Sequence, residues 1–188
     1  MYNLDQEREL VQAAQSGSRK ALGQLYDTLF PGVYAYARSR LPAQPDTEDC
    51  VADVFLTMVR QLHTFQWQRP GSFQAWIFQL VRHRIADFYR RPSPSAPESL
   101  EPLAVAPDGQ PGLEERLLQI ETEHDLLELV KSLSRRRQEV ILLRYFAGLR
   151  NTEIAEVLHL DERTIASHLS RALDDLQQQL TTEEVDRA

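Results

Sequence analysis

The sequence predicts an all-α fold: two small helical domains joined by a proline-rich linker, the C-terminal domain carrying a helix-turn-helix. Three observations lead there. Apolar residues recur at three-and-four spacing through both halves of the 188-residue chain, and no alternating polar/apolar run of strand length interrupts them. Between the halves, RPSPSAPESLEPLAVAPDGQPG holds six prolines and two glycines, a composition that excludes regular helix and reads as an extended connection. Near the C-terminus, NTEIAEVLHLDERTIASHLSRAL sets two amphipathic segments on either side of a turn of three or four residues. The expected boundaries are 1–91 for the first domain, 92–112 for the linker and 113–188 for the second.

The elements follow in order. Leu10, Ala13 and Ala14 form one helical face, and Gly17 and Ser18 interrupt it before Ala21, Leu22, Leu25, Tyr26 and Leu29 resume. A further run spans Val33 to Leu41. Asp46, with Asp49 three residues on, reads as an N-cap. The stripe Cys50, Val51, Val54, Phe55, Met58, Val59 and Leu62 follows it. FQWQRPGS (65–72) reads as a loop and 73–91 as the last helix of this half. In the second half, helices are expected over about 113–131, from a Ser134 cap through Phe146, from an Asn151 cap through Leu158, and from an Asp161 cap onward. That last helix has Ile165, Leu169, Leu173, Leu176 and Leu180 along one edge.

Composition narrows the function. A hydrophobic share of 42% is enough for a core. The single cysteine, Cys50, excludes an internal disulfide and a multi-thiolate metal site, and its place in an apolar run predicts an inert buried thiol. No apolar run approaches a membrane span, and the start MYNLDQEREL lacks signal-peptide character, so a cytoplasmic protein without membrane insertion is expected. Net charge is -7, distributed unevenly: residues 1–91 carry 11 basic against 9 acidic groups, and residues 114–188 carry 10 against 16. Nucleic-acid binding by such a chain must be local or assisted.

Two constellations suit nucleic acid. In the helix-turn-helix segment, Ala155 permits close helix approach, and His159 stands where the chain turns through positive φ. The outward residues of the second helix are Arg163, Thr164, Ser167, His168 and Arg171, suited to base edges and phosphates in a major groove. Arg135, Arg136 and Arg137 crowd a helix start that the helix dipole disfavours for cations, which points to a phosphate partner. In the first half, Phe65, Trp67, Phe73, Trp76, Phe78, Phe88 and Tyr89 interleave with Arg69, Arg82, Arg84, Arg90 and Arg91, the pairing a single-strand platform needs. Phe73, Trp76, Phe78 and Phe88 are assigned mainly to packing, and Trp67, in the loop, to meeting a base. Asp49 and Asp53 share a face with no histidine or third ligand, so neither a metal site nor acid/base chemistry is expected there. No nucleophile–base set or phosphate loop occurs; neither enzyme activity nor a cofactor is expected.

Taken in order, DTEDCVADVFLTMVRQL, GSFQAWIFQLVRHRIADFYRR and LSRRRQEVILLRYFAGLRNTEIAEVLHLDERTIASHLSRALDDL resemble the extracytoplasmic-function sigma factors, promoter-recognition subunits of bacterial RNA polymerase. The likeness covers about residues 8–91 and 113–180. It implies that the 46–62 helix docks on the polymerase clamp helices near Asp49, Asp53, Phe55 and Met58. It also implies that the first half captures and melts the −10 element through Phe65, Trp67, Gln68, Arg69, Ser72, Arg82, His83 and Arg84. The second half would read the −35 element through 162–171, with Arg135, Arg136 and Arg137 beside it, and touch the polymerase flap. Core RNA polymerase, promoter DNA and an anti-sigma factor are the implied partners. Ala166, His168 and His83 depart from the residues frequent in the family, which bears on promoter preference and not on fold. Two other roles fit the same motifs: a sigma-like mimic that sequesters an anti-sigma factor, and a stand-alone helix-turn-helix regulator.

Overall fold

In the computed structural model, residues 4–90 and 129–186 are described, with side chains placed for 6–90 and 129–179. The expected linker, and most of the helix expected over 113–131, lie outside them. Among the described residues there is no strand. The N-terminal half is built from α1 (Leu4–Gln15), α2 (Arg19–Arg38), α3 (Gln44–Gln61) with a 3₁₀ turn Leu62–Thr64, and α4 (Ser72–Arg90). The C-terminal half contains α5 (Arg135–Ile141), a π-helical turn Leu142–Phe146, α6 (Asn151–Leu158) and α7 (Glu162–Asp186).

Local chemistry explains the joints. Ser18 caps α2, its hydroxyl accepting the Ala21 N–H at 3.2 Å. The expected division of α2 before Val33 does not occur: the helix runs through Pro31. Pro31 is on the exposed face, where its ring and missing donor meet solvent instead of a packed neighbour. α3 begins three residues earlier than expected. Ala43 is its N-cap and Pro45 fills the first turn, where no N–H is needed, so Asp46 lies inside the helix. Likewise Arg150, not Asn151, is the N-cap of α6, and Glu153 reaches back to the Arg150 N–H at 2.8 Å. Ser134 precedes α5 as expected, although its side chain makes no capping bond.

Core formation unites the halves. Val11, Leu25, Val33, Val54, Met58, Phe73, Ile77 and Phe78 are buried in the first, and Val140, Leu143, Leu149, Ile154 and Ile165 in the second; all join one apolar cluster. Phe73 and Phe78 are fully packed, and Trp76 and Phe88 lie against the core, as their spacing predicts. Cys50 is buried, and burial pushes its thiol up to about 11, the inert state expected of it.

Close backbone approach makes the contact between halves. A Cβ on Gly32 of α2 would stand 3.0 Å from the Ala147 carbonyl oxygen. Gly71 takes φ +87°, and a Cβ there would meet the Glu153 carboxylate. At Gly32 a side chain would press on the Ala147 carbonyl, and at Gly71 it would combine a strained φ with a clash against Glu153.

Candidate nucleic-acid interface

The helix-turn-helix forms as the sequence predicts. α6 ends on His159, which adopts the left-handed region at φ 55°. Asp161 caps α7: its carboxylate accepts the Thr164 N–H at 2.8 Å and the Thr164 hydroxyl at 2.6 Å, and these bonds hold its pKa below the usual carboxylate range. Glu162 then stands in the first turn of α7, at the positive end of the helix dipole, which accounts for an acid beside a surface suited to DNA. Ile165 is buried against α6, leaving Arg163, Ser167 and Arg171 exposed on one side and His168 and Thr164 half-buried.

α5 packs alongside α7 and brings its arginines to the same surface. Arg135 and Arg136 are exposed, whereas Arg137 pairs with Asp175. Partial burial, then the charges of Arg136, Arg137 and Arg171, lowers the His168 pKa. His168 thus reports that these cations converge, and the dipole-opposing arginines of α5 belong to a composite basic face.

The loop and α4 in the first half are arranged differently. Phe65 packs on Phe73 and Trp76, with ring centroids 5.1 Å from each. Ser72 is buried, its hydroxyl accepting the Gln68 and Arg69 N–H groups at 3.3 and 3.4 Å, so it shapes the loop from inside. The Trp67 indole donates to Glu7 at 3.0 Å, and the Arg8 guanidinium stands 5.2 Å from its ring centroid. Arg84 turns toward α3, donating to the Thr57 hydroxyl at 3.1 Å. Gln68 and His83 are exposed.

Arg69 and Arg82 point into the second half. Arg69 donates to the Glu156 carboxylate at 2.5 Å and the Thr152 carbonyl at 3.2 Å. Arg82 donates to Glu139 at 3.0 Å and to the Val157 carbonyl at 2.8 Å, and Gln79 donates to the Glu156 carbonyl at 3.2 Å. The Glu156 and Val157 carbonyls lie in the last turn of α6, at its negative pole. Glu139 gathers Arg82, Arg40 at 3.1 Å and the Tyr36 hydroxyl at 2.5 Å. Burial first, then the facing Glu139 charge, raises the Tyr36 pKa well above its ordinary value. Burial raises Glu153 too, but Arg150's hydrogen bonds outweigh it and leave that carboxyl lowered.

Sequence reasoning misses these acids, though a signal exists. Glu7 precedes Leu10 and Val11, Glu139 precedes Leu142 and Leu143, and Glu153 precedes Val157, each at three or four residues. An acid placed in register with an apolar stripe is buried with it and must find donors.

On α3, Asp49 and Asp53 are exposed as expected of a docking face, but Phe55 and Met58 are buried. Phe55 packs at a tilt against Tyr26, with centroids 4.5 Å apart. The exposed apolar groups of this helix are instead Leu56 and Val59. Among the described residues no cluster could hold a metal ion, and no helix is long and apolar enough to cross a membrane.

Two family profiles match in the order of these surfaces: Sigma-70 region 2 over residues 25–93 and Sigma-70 region 4 over residues 123–176. The chain belongs to the sigma-70 family. Region 2 thus covers the loop and α4, and region 4 the helix-turn-helix. The chain is 30% identical to the ECF RNA polymerase sigma factor BldN of Streptomyces coelicolor over 89% of its length, and spans 63% of that relative. A structure of CnrH in complex with the cytosolic domain of CnrY superposes with TM-score 0.68 at 26% identity, covering 94% of this chain and 97% of that one. The sigma factor RpoE, in complex with the anti-sigma factor NepR from Bartonella quintana, shares the fold with TM-score 0.64 at 22% identity, over 86% and 98% of the two chains.

Proposed function

We propose that this sigma-70 chain is an alternative sigma factor that binds core RNA polymerase and directs promoter recognition, strand opening and transcription initiation. The single observation that carries the reading is the ordered pair of regions 2 and 4, each with arginines on the helix its role requires. Region 4 reads the −35 element through Arg163, Thr164, Ser167, His168 and Arg171, with Arg135 and Arg136 on flanking phosphates. Region 2 captures the −10 strand through loop 65–72, with Trp67 at its centre and Arg69, Arg82 and His83 along the strand. The outer face of α3, with Asp49, Asp53, Leu56 and Val59, docks on the clamp, and region 4 touches the flap. The chain works in the cytoplasm as a non-enzymatic subunit, restrained by an anti-sigma factor. Its acidity is compatible with this role because two DNA contacts and a large basic enzyme share the binding through effective concentration.

Run-off transcription with purified core polymerase tests the reading. Initiation at defined start sites only when the chain is added supports it. No initiation, together with tight capture of an anti-sigma protein, would replace it with the mimic.

A further inference from the structure

Glu7 lies in α1, before the residues matched by region 2, and is fully buried. Removing a carboxylate from water is costly unless donors meet its lone pairs. Here three donors come from the loop and the helix it opens. One oxygen accepts the Trp67 indole N–H at 3.0 Å and the Gly71 N–H at 2.8 Å; the other accepts the Gln74 N–H at 3.2 Å. Gly71 and Gln74 belong to the start of α4, where backbone donors have no partner within the helix. Glu7 is therefore a cap supplied from another element, and it ties that cap to the tryptophan of the loop.

We propose that Glu7 is the positioning residue of the −10 loop: it holds Trp67 and the α4 start in the geometry that receives an unpaired base, and so sets the rate of strand opening. This rests on the reading of loop 65–72 given above. The loop is clamped from two sides, and the sides differ. Arg69's bonds to Glu156 and Thr152 join the two halves, and a promoter strand competes for that guanidinium. The Glu7 bonds lie within one half and survive any separation. Charge is required as well as shape. Three donors converge on two acceptor oxygens, and a glutamine would turn an NH₂ group toward at least one of them.

The test uses full-length Glu7→Gln, Trp67→Phe and Trp67→Ala chains, each reconstituted with core polymerase. The template is selected by the wild-type holoenzyme from a pool randomised at both promoter elements, with 2-aminopurine in the −10 strand reporting opening. Glu7→Gln should slow opening about tenfold, the scale of one buried hydrogen bond, while core affinity and −35 duplex binding stay within about twofold. Trp67→Phe keeps the ring but lacks the indole N–H; it should slow opening too, and the double variant should be no slower than Glu7→Gln alone. Wild-type opening by Glu7→Gln with Trp67→Ala impaired overturns the role of Glu7 and leaves the loop reading standing. Wild-type opening by both overturns the loop reading itself. If Glu7→Gln weakens core affinity in step with opening, Trp67→Phe decides, since it leaves the buried carboxylate in place: slow opening supports the contact, and wild-type opening refutes it.

Discussion

Arg163 and Arg171 of region 4 stand in solvent beside Arg135 and Arg136, whereas Arg69 and Arg82 of region 2 already donate to Glu156, Glu139 and the Thr152 and Val157 carbonyls of α6. Both sets suit phosphate, but only the first is open to it. The difference lies in the acids of region 4: those on the α5 and α6 faces turned toward region 2 occupy its guanidinium groups, while the cations of α5 and α7 face outward. On the function proposed above, a −10 strand must therefore exchange one set of anionic partners for another, whereas −35 duplex needs no such exchange.

That contrast can be broken at several points. The largest effect is expected for Gly71→Ala, which combines a left-handed φ with a contact against Glu153, itself tied to Arg150. It should cost about 3 kcal/mol in urea unfolding. Adding Glu153→Ala should recover the contact part and leave roughly 1 kcal/mol of backbone strain. No recovery would place the whole cost in the loop and none in the docking of the halves.

Glu139→Gln comes next. It leaves Arg82, Arg40 and Tyr36 without their shared anion; with those arginines partly exposed, about 2 kcal/mol should be lost. The radius of gyration by small-angle scattering should rise, and affinity for single-stranded DNA should rise with it. Unchanged scattering would mean that apolar contacts alone hold the halves together.

Arg163→Ala acts on the open surface. It should weaken −35 duplex binding by the holoenzyme by roughly 1–2 kcal/mol while leaving scattering and unfolding of the free chain unchanged. A parallel loss of stability would show that the residue is structural and not a reader.

The smallest effect is a pH dependence. The folded-state pKa of His168 lies below its ordinary value of 6.5, through partial burial and the nearby arginines. Between the folded and unfolded pKa values the unfolded chain binds more protons, so stability falls as pH drops below about 6.5 and levels off beneath the folded pKa. Phosphate near His168 favours its charged form, so −35 binding should strengthen over the same interval. His168→Gln should flatten both trends, and an unaltered pH profile of binding would place His168 away from the phosphates.

Much of the fold is legible in the sequence. Helical spacing locates the halves, and Asp161, Ser18 and His159 mark their joints through local hydrogen bonding and left-handed φ, properties that act within a few residues. The boundaries that fail do so for equally local reasons: Pro31 is harmless on an exposed face, and Pro45 and Glu153 shift helix starts by three residues and one. The burial of Phe55 and Met58 escapes because a stripe's spacing shows which residues share a face, not which way that face turns.

By itself, then, the sequence determined the helices, the helix-turn-helix and the residue types able to meet DNA, since each depends on periodicity, capping and side-chain chemistry along a single segment. Only the tertiary structure decided which of those residues are free. The partners of Arg69, Arg82 and Trp67 lie 57 to 87 residues away in the chain, and no local pattern encodes a pairing at that separation. Burial then fixes the outcome: once Glu7, Glu139 and Glu153 are drawn inside with their apolar stripes, the donors nearest in space must satisfy them.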